Sequence, residues 1–126
     1  APVVVLVNER TASCAEYFTF DLQEGRQAPV IGQPTAGVGN TATMFLRLSD
    51  GSGLQVTTSR AQRRDGSFYP DSVTPNVSFS DDWQALAEGR DLMLEKAIEL
   101  LISIHTGVEP SRMAVPKDPY SWFLGQ

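Results

Sequence analysis

An α/β fold is what this sequence predicts, and three observations carry it. The apolar run at residues 3–7 stops at Asn8-Glu9-Arg10 and leads straight into a helical pattern. A second short apolar run, residues 29–32, returns after that helix, the layout of two strands joined by a helical crossover. Further along, aliphatic side chains recur at helical spacing through residues 86–104. With 126 residues and 41% hydrophobic content, the chain is long enough for one small domain with a real core.

Taken in order, residues 3–7 are continuously apolar, as in a parallel strand covered on both faces. The first helix is expected over residues 14–24, with Phe18 and Leu22 at i, i+4, Ala15 one turn earlier, and Gly25 as its stop. A loop at residues 33–40 carries Gly37 and Gly39. Two longer strand patterns, 41–48 and 54–61, flank the turn Ser49-Asp50-Gly51-Ser52-Gly53. Asp65-Gly66 reads as a hairpin tip. One long helix is expected over residues 82–104. The acidic residues at its start suit the helix dipole, and Leu86, Met93, Ala97, Leu101 and Ile104 form its stripe with Leu94 and Ile98 beside it. Gly107 and Pro110 stop it. Residues 107–126, with Tyr120, Trp122 and Phe123, read as an extended arm after a folded unit at 1–106.

The chemistry concentrates where the first strand hands over to the first helix. Ser13 stands on the first turn, where backbone N–H groups lack intrahelical partners and the dipole favours negative charge. A serine nucleophile with an oxyanion donor needs that arrangement. The same residue also fits a capping box, Ser13-x-x-Glu16, and Thr11 is a second possible cap. Cys14, the single cysteine, excludes an intrachain disulfide and reads as a small buried apolar neighbour of Ser13. A thiol nucleophile at the same helix start is the other possibility it leaves open.

Three stretches, VVVLVNERTASCAEYF, GRQAPVIGQPTAGVGN and LSDGSGLQVTTSRAQRRDGSFYPDSVTPNV, occur in this order over about residues 3–77. Together they resemble the C-terminal processing (tail-specific) serine peptidases, including their tricorn-like branch. The resemblance implies a crotonase/ClpP-like ββα core, crossed by the long C-terminal helix. It implies that Ser13 is the nucleophile of an endopeptidase working through an acyl-enzyme, with the Cys14 backbone N–H as one oxyanion donor. Polypeptide substrates follow, with no metal or organic cofactor. Relatives are often exported, so a periplasmic or other exported setting is the expectation.

The departures from that family pattern are informative. Members with a serine–lysine dyad carry their lysine in the glycine loop, where this chain has Val38. Lys96 lies in the last helix and Lys117 in the tail, positions that suit surface charge. The tricorn-like branch takes a histidine from upstream sequence; the single histidine here, His105, follows Ser13 and suits the negative end of the last helix. The general base is therefore expected outside these residues. Asp71, just before Ser72-Val73-Thr74-Pro75, is the candidate for an acid that orients the base, though Pro70-Asp71 equally suits a turn. The second oxyanion donor, from an upstream glycine-rich loop, is also expected elsewhere. The upstream half of the same catalytic domain, or a second copy of this chain, is the implied partner.

The net charge of −5 argues against nucleic acid or an anionic membrane as partner, and no apolar run reaches the length of a membrane span. A second functional class stays open beside the peptidase. In it the fold persists as a peptide-binding or oligomerisation module without catalysis, consistent with Val38 in place of lysine.

Overall fold

The computed structural model describes residues 1–39 and 41–108. It is built from β1 (Val5–Val7), α1 (Cys14–Arg26), β2 (Val30–Gly32), β3 (Thr41–Arg47), β4 (Gly53–Arg60), β5 (Val77–Ser78), α2 (Trp83–Ala87) and α3 (Leu92–Thr106). The chain mixes helix and strand as the sequence predicts: a β-α-β unit opens it, three further strands follow, and two helices close it.

Three strands form a parallel sheet in the order β1-β2-β5, with Val5 opposite Val30, Val7 opposite Gly32, and Ile31 opposite Val77. The central strand β2 is buried throughout. Adjacent residues on a strand point to opposite faces, so the complete burial of both Val30 and Ile31 means that both faces are covered. On one side Phe20 of α1 packs with Val7, Val30 and Val73, bordered by Val5 and Tyr69. Helix α3 lies against β1 and β2, with Ala97 and Ile98 buried.

Parallel strands must approach closely here, and Gly32 permits it. Its φ is +131°, and a Cβ at this position would lie 1.8 Å from the Val7 carbonyl oxygen. The Gln33 N–H donates to that same oxygen at 3.1 Å, completing the ladder.

A second sheet is the antiparallel hairpin of β3 and β4, with a register shift between Ala42 and Thr43. Met44 pairs with Val56 and Leu46 with Leu54 on one face, and all four are exposed. The Asp65-Gly66 tip is present: Gly66 has φ +84°, and the Asp65 carboxylate accepts from the Ser67 amide and hydroxyl.

Three sequence expectations need correction. Gly25 does not stop the first helix, which continues to Arg26 and closes on Gln27 in the left-handed region, with φ 54°. The long helix expected over 82–104 is two helices, because Gly89 adopts φ +83° and Asp91 starts afresh by accepting from the Leu94 amide. Leu86 therefore belongs to α2 rather than to the α3 stripe, and Ile104 at the far end is exposed. The first strand is shorter than 3–7 and only Val7 is buried in it, as suits the outer strand of the described sheet. The expected arm at 107–126 lies, from residue 109 onward, outside the described residues.

Candidate active site

The link from β1 to α1 is a chain of local hydrogen bonds. Thr11 N–H donates to the Asn8 carbonyl at 2.9 Å, Asn8 N–H donates to the Thr11 hydroxyl at 3.1 Å, and Arg10 N–H donates to the Asn8 side-chain oxygen at 3.0 Å. Thr11 thus closes the turn rather than capping the helix. Ser13 follows with φ 58° and ψ −126°, one of only two non-glycine residues at positive φ among those described. An L-residue held there costs on the order of 1–3 kcal/mol. Its side chain is exposed at the N-terminus of α1.

Next in line, the Cys14 amide has no acceptor among the described residues, as the first N–H of a helix normally lacks one. The Cys14 thiol is exposed, not buried as its composition suggests, because the helix start faces outward. Ser13 and Cys14 together present a hydroxyl and an unpaired N–H at the positive end of a helix dipole.

Beneath them lies a feature that sequence reading reduced to half a capping box. Glu16 is fully buried, at 0% exposure. Its Oε2 accepts from the Ser13 N–H at 2.9 Å and the Val38 N–H at 3.0 Å. Its Oε1 accepts from the Thr35 hydroxyl at 2.5 Å and the Gly37 N–H at 2.7 Å. Thr35 reaches onward, accepting from the Val73 N–H at 2.9 Å through its hydroxyl and donating its own N–H to the Val73 carbonyl at 3.2 Å. The glycine loop is thereby folded over the start of α1. At Gly39 a Cβ would lie 2.8 Å from the Glu16 Cβ and 2.9 Å from the Ser13 carbonyl oxygen. Local spacing signalled only the Ser13 contact; the other three bonds bridge positions far apart in the chain.

Burial by itself pushes the Glu16 carboxyl up, but the hydrogen bonds from Thr35, Gly37, Val38 and Ser13 outweigh it and hold the group below its ordinary value of 4.5. A carboxyl lowered by folding stabilises the folded state above the unfolded value and loses that contribution as pH falls through the folded one. The melting temperature of the wild type is therefore expected to converge on that of Glu16→Gln as the pH drops below 4.5. A gap that stays constant with pH contradicts the ionised network.

The remaining sequence candidates sit as follows. Asp71 is exposed and ion-paired with Arg60 Nη2 at 2.8 Å, while its carbonyl oxygen lies 3.3 Å from where a Gly37 Cβ would stand. Arg60 also stacks over Phe68, and Arg63 over Tyr69 while pairing with Glu24, so this hairpin is clamped to α1. Val38, at the lysine position, is 55% exposed. Lys96 pairs with Glu99 on α3, and His105 is exposed in the last turn of the same helix. Lys117 lies outside the described residues. Among the described residues no cluster of three or more His, Cys, Asp or Glu could hold a metal ion, and no helix is long and apolar enough to cross a membrane.

The carboxyl-terminal-processing protease of Synechocystis is 34% identical over 108 residues, covering 79% of this chain and 24% of that protein. The solved photosystem II D1 C-terminal processing protease is similar over 64% of this chain and 21% of its own, with 34% identity and a TM-score of 0.50. A solved structure from Parabacteroides merdae shares the fold over 80% of this chain and 32% of its own, with a TM-score of 0.67 at 23% identity. The chain thus spans less than a third of each of these relatives. Residues 1–79 match peptidase family S41, and the chain belongs to that family, with carboxyl-terminal-processing proteases among its relatives.

Proposed function

We propose that this chain carries the nucleophile of a serine-type endopeptidase that acts on polypeptides by an acyl-enzyme mechanism. The observation that carries the reading is the conformation of Ser13. It is an exposed serine at positive φ on a strand-to-helix turn, followed by an amide with no acceptor among the described residues. A strained turn of this kind lifts the hydroxyl clear of the backbone and aims the next N–H at the same space.

In this reading Ser13 Oγ attacks the scissile carbonyl carbon while its proton passes to a general base. The oxygen that gains charge is received by the Cys14 N–H at the helix N-terminus. The leaving amine takes the proton back from the base, and water then releases the acyl group by the same route in reverse. The base comes from residues outside this chain; a histidine, as in the tricorn-like branch, fits the absence of lysine at position 38. Asp71 enters as the acid that orients that base, from a backbone seated against the glycine loop. The parallel sheet and crossover helix are the part of a crotonase-like core that this reading assigns to the chain, with the upstream half of the domain as its partner.

Fluorophosphonate labelling of the longest natural polypeptide containing this chain tests the reading. The expected result is a single adduct that mass spectrometry locates on the Ser13 peptide. A folded protein that takes no label, or takes it at another residue, refutes it.

A further inference from the structure

Glu16 has no free lone pair. An ionised carboxylate offers about four acceptor positions, and here the four are filled by Thr35 Oγ1, Gly37 N, Ser13 N and Val38 N at 2.5 to 3.0 Å. A group so occupied cannot take a proton from a substrate or a nucleophile. It is nevertheless fully buried and ionised, a costly placement unless its bonds serve the structure around it.

Those bonds converge on three separate segments. One is the Ser13 backbone at positive φ, whose N–H donates to Glu16, while the next amide, that of Cys14, has no acceptor among the described residues. Another is the loop at residues 35–38, pinned through two amides and one hydroxyl. The last is the segment at Val73, two residues after Asp71, reached through Thr35. Gly39 then seals the assembly, since any side chain there would collide with Glu16 and Ser13.

We propose that Glu16, acting through Thr35, is a positioning residue that holds Ser13 in its strained conformation and fixes the glycine loop and the Asp71 segment around it. The catalytic consequence rests on the reading of Ser13 as nucleophile; the positioning itself does not.

The test uses Glu16→Gln in the longest natural polypeptide, with two independent readouts. Glutamine keeps the shape but places an NH2 group against at least one backbone N–H, and turns the remaining charge-assisted bonds into neutral ones about half as strong. Amide hydrogen exchange at Ser13, Gly37 and Val38 is expected to rise at least about tenfold while Val30 and Ile31 in the sheet stay protected. The rate of fluorophosphonate labelling at Ser13 is expected to fall by at least about tenfold, because small misplacements of a reacting group are costly. Thr35→Val should act in the same direction and lower kcat rather than raise KM for peptide hydrolysis, whereas Thr35→Ser, which keeps the hydroxyl, should restore it.

Unchanged exchange at all three amides overturns the assignment, as does a wild-type labelling rate in a variant whose amides have loosened. Should the wild type itself take no label, the nucleophile reading fails while the exchange readout still decides whether Glu16 holds the loop. Where Glu16→Gln does not fold, the Thr35→Val and Thr35→Ser pair supplies the same comparison.

Discussion

Ser13→Gly is expected to yield a protein that melts at a higher temperature than the wild type and yet takes up no fluorophosphonate. The hydroxyl is gone, so covalent labelling and peptide hydrolysis should fall by roughly a thousandfold or more. Stability should move the other way. Serine at φ 58° carries on the order of 1–3 kcal/mol of backbone strain, whereas glycine adopts the conformation freely at an entropic cost of about 0.5–1 kcal/mol. The difference favours glycine by about 1 kcal/mol, a rise of a few degrees, roughly 2–8 °C, in melting temperature.

The control that isolates strain is Ser13→Ala. Alanine is equally inert chemically and keeps the unfavourable φ, while the Ser13 side chain makes no capping hydrogen bond for alanine to lose. Gly is therefore expected to be the most stable of the three, with wild type and Ala close together below it. Thermal melts of the three proteins decide it. A Gly variant no more stable than the Ala variant would mean that the turn at Ser13 stores no strain, and the central support for a poised nucleophile would go with it.

Much of this site was legible in the sequence because its signals are local. The apolar run, the Asn8-Glu9-Arg10 break and the helical pattern after residue 13 all act within a few residues, and they give a strand, a turn and a helix starting after Ser13, with errors only at the outer ends of β1 and α1. The hairpin β3–β4 was legible for the same reason, from alternation and the glycine-bearing turn. What local pattern cannot hold is a side chain with several distant partners. Glu16 at spacing i+3 from Ser13 announces a capping box, and that contact is there. Nothing near residue 16 announces Thr35, Gly37 or Val38, so its larger role emerged only from the folded chain.

The break between α2 and α3 was missed for a different reason. Leu86 and Met93 stand seven residues apart, in phase for one helix across Glu88-Gly89-Arg90-Asp91, and glycine within a helical pattern costs only about 1 kcal/mol, which packing often absorbs. Here Asp91 offers a competing cap, and Gly89 takes the left-handed conformation that lets the chain use it.

Gly32→Ala should be the most damaging single substitution in the sheet. Two effects add. Alanine at φ +131° is strained in any setting, by about 1–3 kcal/mol. Beyond that, its Cβ would stand 1.8 Å from the Val7 carbonyl oxygen and 2.9 Å from the carbonyl carbon, both rigid backbone atoms in the register-paired strand. The chain cannot relieve such contacts by a side-chain rotation; β1 and β2 must separate. A loss exceeding about 4 kcal/mol is expected, a large part of the 5–15 kcal/mol that holds a typical domain together.

Gly51→Ala separates the two effects, since it also has positive φ, at +87°, but a Cβ there meets nothing within 4 Å. It should cost only the strain, about 1 kcal/mol or slightly more. Denaturant midpoints for the two variants make the comparison, and equal losses would refute the claim that close backbone approach makes glycine necessary at position 32. The consequence for chemistry follows from connectivity. Val7 leads through the Asn8 turn to Ser13, and Gly32 leads through Gln33 and Pro34 to Thr35 and thus to Glu16. Prising β1 from β2 moves the candidate nucleophile away from the loop that anchors it, so labelling at Ser13 should be lost even at temperatures where the Gly32→Ala protein still retains helix.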